Sequence, residues 1–181
     1  EGFKFGAGAK GDIALLKELG ERHGFKVRVI PSFDVNGKTV STSWIRELLL
    51  EGEVVAASKL LGRLHSTVGV VEHGLKIGRE IGFPTANIDI LEDYKLIPKT
   101  GVYVIQSEIH NKTVFGMMNI GTRPTIEGKN QTIEVHFFDF DQDLYDKKIT
   151  IEMIDFIREE LKFESVESLK NQLHNCLMLY C

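Results

Sequence analysis

The chain has 181 residues, 43% hydrophobic and 27% charged, with a net charge of −4 at pH 7. That balance is ordinary for a globular protein and argues against general attraction to nucleic acid or anionic lipid. No apolar run reaches the roughly 18 residues of a membrane span, and two late cysteines, Cys176 and Cys181, exclude a disulfide framework and make a poor zinc site on their own.

The expected compartment is the cytoplasm. The length suits one medium domain, or a small domain plus part of another. Glu1 opens the chain with neither an initiator Met nor a signal peptide, and the sequence reads as starting partway through a longer protein.

In chain order, Phe3 to Gly11 is a glycine-rich loop. Asp12 caps a helix carrying Ile13, Leu16 and Leu19, which Gly20 or Gly24 ends. Lys26 to Phe33 alternates apolar residues as a strand does, and Asn36-Gly37 marks a tight turn. A helix follows with Trp44, Ile45, Leu48 and Leu49 on its apolar side, then a shorter one with Val54, Ala57 and Leu61, stopped by Gly62. Beyond Gly62 the texture is β-rich. Strands are expected over 66–72, 101–109, 113–119, 133–140 and 148–154, with turn signals at Asn111-Lys112, over 127–130 and over 141–143. Strands this closely spaced, without intervening helices, indicate an antiparallel sandwich or barrel. A closing helix begins near Ser165 and presents Val166, Leu169, Leu173 and Leu177 on one side. The domain boundary is placed near residue 62, giving segments 1–61 and 62–181.

Four features carry possible chemistry. His73 to Gly82 holds Gly74, Gly78 and Gly82 with Lys76 and Arg79, the ingredients of a loop that wraps phosphates, although a plain surface hairpin has the same composition. It is not a Walker loop. In Pro84-Thr85-Ala86-Asn87, the Thr85 hydroxyl and Asn87 amide oxygen share a face of an extended segment; they can hold Mg²⁺ beside phosphates, or bond to backbone at a turn. In Thr132-Ile133-Glu134-Val135-His136-Phe137, alternation puts Glu134 and His136 opposite the apolar face. Glu134 is a candidate general base, with His136 the competing base and a solvent-facing strand residue the plain alternative. Arg158, expected between the last strand and the closing helix, can contact a planar ligand or pair with Glu159 or Glu160. The stretch 119–125 reads as a polar loop.

The order of these motifs is informative. The glycine-rich basic loop is followed by Gly82-Phe83-Pro84-Thr85-Ala86-Asn87, Pro98-Lys99-Thr100-Gly101-Val102-Tyr103, Asn119-Ile120-Gly121-Thr122-Arg123-Pro124-Thr125, Glu134-Val135-His136, Asp139-Phe140-Asp141 and Leu144-Tyr145. Over residues 62–174 this resembles riboflavin kinase, the kinase module of bacterial bifunctional riboflavin kinase/FAD synthetases. The resemblance implies a mainly β fold, a six-stranded antiparallel Greek-key barrel with a C-terminal helix. It implies transfer of the ATP γ-phosphate to the ribityl 5′-hydroxyl of riboflavin, giving FMN, with Mg²⁺ accompanying ATP.

Carried over by position, Thr85 and Asn87 are the Mg-nucleotide ligands and Glu134 is the base. Gly74, Lys76, Gly78, Arg79 and Gly82 form a flap over the phosphates, and Arg158 contacts the flavin. The partners implied are the small molecules ATP and riboflavin, with no nucleic acid and no membrane. The alternative is a barrel that binds flavin or nucleotide without catalysis. Residues 1–61 resemble an α/β fragment, the tail of the FMN adenylyltransferase module, through Phe3-Lys4-Phe5-Gly6 with Gly11-Asp12 and through Val40-Ser41-Thr42-Ser43-Trp44-Ile45-Arg46. That family commonly has Arg where Trp44 stands. Its His-x-Gly-His motif does not occur in this sequence, which implies that the chain alone makes no FAD.

Overall fold

The computed structural model describes residues 3–72, 84–92, 94–125 and 128–161, and of the side chains from 123 to 130 nothing is said. The Gly74–Gly82 flap and the closing helix lie outside the described residues. The chain divides into two compact units, Glu1–Ser41 and Thr42–Cys181.

In the first unit, Phe5 and Gly11 exchange backbone hydrogen bonds around a 3₁₀ turn, Ala7–Ala9. Helix α1, Ile13–His23, begins where Asp12 Oδ1 accepts from Leu15 N at 3.0 Å. It ends at Gly24, whose φ of 76° an L side chain would resist. The short strands β1, Asp34–Val35, and β2, Lys38–Thr39, pair antiparallel about Asn36-Gly37. Both turn residues have positive φ, as a two-residue hairpin demands. The strand expected over 26–33 is not formed. Alternation supplies an apolar side, but a strand also needs a backbone partner along its length, and the segment joins no strand ladder among the described residues; its last residue, Phe33, accepts from Val40 N at 2.8 Å beside the β1–β2 hairpin. Ile30 and Phe33 accordingly remain 80% and 67% exposed.

The second unit is built on a closed barrel. Its strands are β3 (His65–Glu72), β4 (Ala86–Ile90), β5 (Gly101–Ile109), β6 (Lys112–Thr125), β7 (Gly128–Phe137) and β8 (Lys148–Arg158). They close in the order β3-β4-β7-β6-β5-β8, each pair antiparallel. The consecutive hairpins β5-β6-β7, with β8 returning beside β5, make the Greek key, and closure leaves the sheet no open edge. Alternation does the sorting: Tyr103, Ile105, Met118, Ile120, Val135, Ile151 and Met153 fill the interior.

Helices α2, Thr42–Glu51, and α3, Val54–Leu61, form as expected, and Leu49, Val54 and Ala57 are buried in one cluster with the barrel interior. Two strand expectations change. The expected polar loop 119–125 is strand. β6 runs on to Thr125 and pairs with β7 out to Thr125↔Gly128, as a two-stranded ribbon extending past the last β5 partner at Gly101↔Ile120. Pro124 is tolerated there because it has left the sheet interior. Finally, β8 continues to Arg158, four residues past its expected end. The strand β4 is short, five residues.

His65 is buried, with Nε2 at 3.1 Å from the Leu96 carbonyl oxygen. Burial holds its pKa below the usual histidine value, outweighing that hydrogen bond. The folded state thus favours neutral imidazole. Its contribution to stability is present above about pH 6.5, the unfolded value, and is lost as pH falls through the depressed folded pKa. Urea midpoints of the native chain should therefore fall more between pH 7.5 and 5 than those of His65→Gln; parallel profiles would remove this account. Ile105 is fully buried, and Ile105→Ala should destabilise by about 2–5 kcal/mol in urea unfolding; a loss under 1 kcal/mol would show a loosely packed interior.

Candidate active site

Opposed residues of an antiparallel pair put their side chains on one face. Follow one level around the barrel. Glu72 on β3 stands opposite Asn87 on β4, Asn87 opposite Glu134 on β7, and Glu134 opposite Asn119 on β6. Asn119 stands opposite Val102 on β5, and Val102 opposite Arg158 on β8. The neighbours Val71, Ile88, Val135, Met118 and Tyr103 are buried inward, so this row lies on the outer face. Asn87, Glu134, Asn119 and Arg158 are each partly buried. Three inter-strand spacings separate Glu134 from Arg158, about 14 Å along the sheet.

Three of the sequence-predicted residues therefore occupy one row: Asn87, Glu134 and Arg158. Thr85 lies two residues before Asn87, exposed, in the segment that leads into β4. It lines a cavity of about 310 Å³ with Val71, Pro84, Ala86, Phe140, Leu144, Tyr145 and the carboxylates Asp141 and Asp143. A larger hollow of about 640 Å³ surrounds the β5–β6 turn, and neither Thr85, Asn87, Glu134 nor Arg158 lines it. Gly74, Lys76, Gly78, Arg79 and Gly82 lie outside the described residues.

Local details set each position. A register shift between Val102 and Tyr103 in the β5–β8 ladder brings Arg158 opposite Val102 while Phe156 opposes Tyr103, and such bulges re-aim side chains. Gly101 makes the close approach possible: its φ is 147°, and a Cβ there would stand 2.6 Å from the Arg158 carbonyl oxygen. Arg158 Nη1 donates to the Glu159 carbonyl oxygen at 3.0 Å. The Glu159 carboxylate instead meets Lys99 Nζ at 2.7 Å, and that hydrogen bond lowers its pKa. Tyr103, which donates to the Lys99 carbonyl oxygen, has its own pKa pushed up by burial to about 12.

His136, the competing base, has ring atom Nδ1 2.9 Å from the Pro84 carbonyl oxygen. A carbonyl can only accept, so Nδ1 carries the proton in this contact. Asn119 is a neighbour that sequence reasoning left in a loop; the length of β6 and its register put it beside Glu134. At Gly121, the point an added Cβ would occupy is 2.6 Å from Glu160 Oε1 and 3.3 Å from both Asn119 Nδ2 and Thr132 Oγ1. Polar groups thus converge there because no side chain fills the space. The two-residue period from Glu134 could have found Thr132; Glu160 and Asn119 carry no comparable local signal.

Among the described residues, no group of three His, Cys, Asp or Glu side chains could cage a metal ion. Neutral hydroxyl and amide oxygens such as those of Thr85 and Asn87 fit the other arrangement. They are hard donors suited to Mg²⁺, which takes few protein ligands and fills its octahedron with phosphate and water.

Comparison with known proteins agrees with the barrel. The riboflavin kinase family model matches residues 61–177. The bifunctional riboflavin kinase/FMN adenylyltransferase of Haemophilus influenzae is 40% identical over 172 residues, 94% of this chain and 55% of that protein. The protein of the same name from Escherichia coli K12 is 38% identical over 94% of this chain and 54% of its own length. A solved structure from Streptococcus pneumoniae, named as a macrolide-efflux protein, superposes with a TM-score of 0.86 at 34% identity, over 98% of this chain and 57% of that one. Among the described residues, no helix is long and apolar enough to cross a membrane. The chain spans about half the length of the curated relatives it matches. With its closed antiparallel barrel and a matching family model over most of its length, the chain belongs to the riboflavin kinase family.

Proposed function

We propose that this chain transfers the γ-phosphoryl group of ATP to the ribityl 5′-hydroxyl of riboflavin, yielding ADP and FMN. The observation that carries the reading is the register pair Asn87↔Glu134 beside Thr85. It sets a carboxylate next to the Asn87 amide oxygen on paired strands, with the Thr85 hydroxyl in the segment just before β4, where an alcohol and a triphosphate can meet.

In this reading the nucleotide lies on the β4 side. The cavity lined by Thr85 is large enough for part of a nucleotide, and its apolar walls suit a base. Thr85 and Asn87 would hold Mg²⁺, which would neutralise charge on the phosphates. The flavin lies across the row from Glu134 toward Arg158, a span of about 14 Å that suits an extended tricyclic ligand with a polyol chain. Asn119 can hydrogen-bond a ribityl hydroxyl, and Arg158 can meet the polar edge of the ring.

The chemistry needs little covalent work from the protein. The 5′-hydroxyl oxygen attacks the γ-phosphorus, the bond from that phosphorus to the β,γ-bridging oxygen breaks, and ADP leaves. Glu134 accepts the hydroxyl proton. Catalysis is then mainly positioning and charge neutralisation. Gly74, Lys76, Gly78, Arg79 and Gly82 are assigned to cover the phosphates. His136 is ranked below Glu134 because its Nδ1–H already serves the Pro84 carbonyl oxygen; its Nε2 keeps a lone pair, so it stays the competing base. The reaction is assigned to the cytoplasm, with no nucleic acid or membrane as partner. The longer protein to which this sequence corresponds is proposed also to adenylylate FMN.

Glu134→Gln should retain ATP binding and lose turnover by about 10²–10⁴-fold, the usual contribution of a positioned base. FMN and FAD separated chromatographically after incubation with riboflavin, ATP and Mg²⁺ provide the check. A native rate in that variant would remove the base assignment and favour a binding barrel. The same assay should show FMN and no FAD from this chain, because the His-x-Gly-His motif does not occur in it; FAD formation would overturn that expectation.

A further inference from the structure

We propose that His136 is a positioning residue: its ring holds the Pro84-Thr85 turn at a fixed distance from Glu134, and so sets nucleotide affinity without touching the reacting atoms. This rests on the kinase reading above.

The case is topological. The β4–β7 ladder has two residue pairs, Ala86↔Val135 and Asn87↔Glu134. Thr85 lies beyond its end, outside any strand, and Pro84 has no N–H with which to extend it. One step further along β7, His136 reaches across to the Pro84 carbonyl oxygen at 2.9 Å. A side chain thereby continues what the backbone ladder leaves off, on the side of Thr85 away from Asn87. Phe138 meets the imidazole ring edge-on, with centroids 5.9 Å apart. Met117, 4% exposed, stands opposite His136 on β6. The ring therefore has restricted freedom, and its bond fixes the turn rather than following it.

The donor matters more than the ring. His136→Leu removes the N–H while keeping an apolar side chain of similar bulk, whereas His136→Asn restores an N–H near the position of Nδ1. Calorimetry of ADP with Mg²⁺ should give a dissociation constant raised roughly 3- to 10-fold in His136→Leu, the range for one lost neutral hydrogen bond. Riboflavin affinity, read by flavin fluorescence, should be unchanged. His136→Asn should return nucleotide affinity to within about twofold of native. Steady-state kinetics should show the effect mainly in KM for ATP. Native nucleotide affinity in His136→Leu, or an Asn variant no better than the Leu variant, overturns the proposal. A large loss of turnover at unchanged nucleotide affinity would also overturn it and make His136 the base. If either variant fails to fold, the native chain still decides: nitrogen-15 shifts must show the His136 proton on Nδ1, and a proton on Nε2 alone overturns the proposal. Failure of the kinase reading is distinct, because it appears in the native chain as absent binding of magnesium nucleotide, which would end both.

Discussion

Register between β4 and β7 is the constraint on which the site depends. Two residue pairs, Ala86↔Val135 and Asn87↔Glu134, join these strands. Side chains alternate with a period of two, so a slip of one residue would turn Asn87 inward and bring Ala86 out beside Glu134. The barrel resists that slip. Ile88, Val135 and Val71 are packed inside, and moving β4 by that one position would exchange a buried isoleucine for an asparagine, Asn87. Interior packing thus enforces the exterior arrangement of polar groups. The row from Glu72 to Arg158 is the outward consequence of a correctly filled core.

Closure has a second consequence. An open sheet would place β3 and β8 at its two edges, but here they pair over six positions from His65↔Met153 to Val70↔Lys148. Glu134 and Arg158 consequently sit on one curved wall, and their separation is fixed by strand spacing rather than by loop conformation. Sites on strands hold geometry better than sites on loops. Around this wall the supports are modest and local: Gly101 lets β5 and β8 approach, the shift in their ladder re-aims Arg158, and Lys99 holds the residue that follows it. The Lys99–Glu159 pair is largely solvent-exposed on the Glu159 side and adds little stability; its effect is to anchor the end of β8.

Electrostatics separate the two sides of the wall. The chain is acidic overall, and Asp141 and Asp143 border the cavity next to Thr85. A triphosphate placed there would need compensating charge. Mg²⁺ and the basic flap residues Lys76 and Arg79 are proposed to supply it. At the other end of the row, Arg158 is the residue proposed to meet the neutral flavin edge. The arrangement suits one strongly anionic substrate and one neutral one.

Much of this was already legible in the sequence, wherever the signal was local. Period-two alternation marked strands within β3, β5, β6, β7 and β8, helical periodicity marked α1 to α3, and Asn36-Gly37 marked its turn. Motif order pointed to the family, and alternation about Val135 put Glu134 on the polar face. What the tertiary structure decided was non-local: which strands are neighbours and in what register. A five-residue strand such as β4 is too short for its pattern to stand out. The polar, proline-containing run 119–125 becomes strand because β7 pairs with it. The end of β8 depends on a bulge opposite Val102. The segment 26–33 shows the converse, since it alternates like a strand yet joins no strand ladder among the described residues. Periodicity tells a residue which face it occupies, but hydrogen bonding to another strand tells it whose neighbour it is, and the second is what assembles a site.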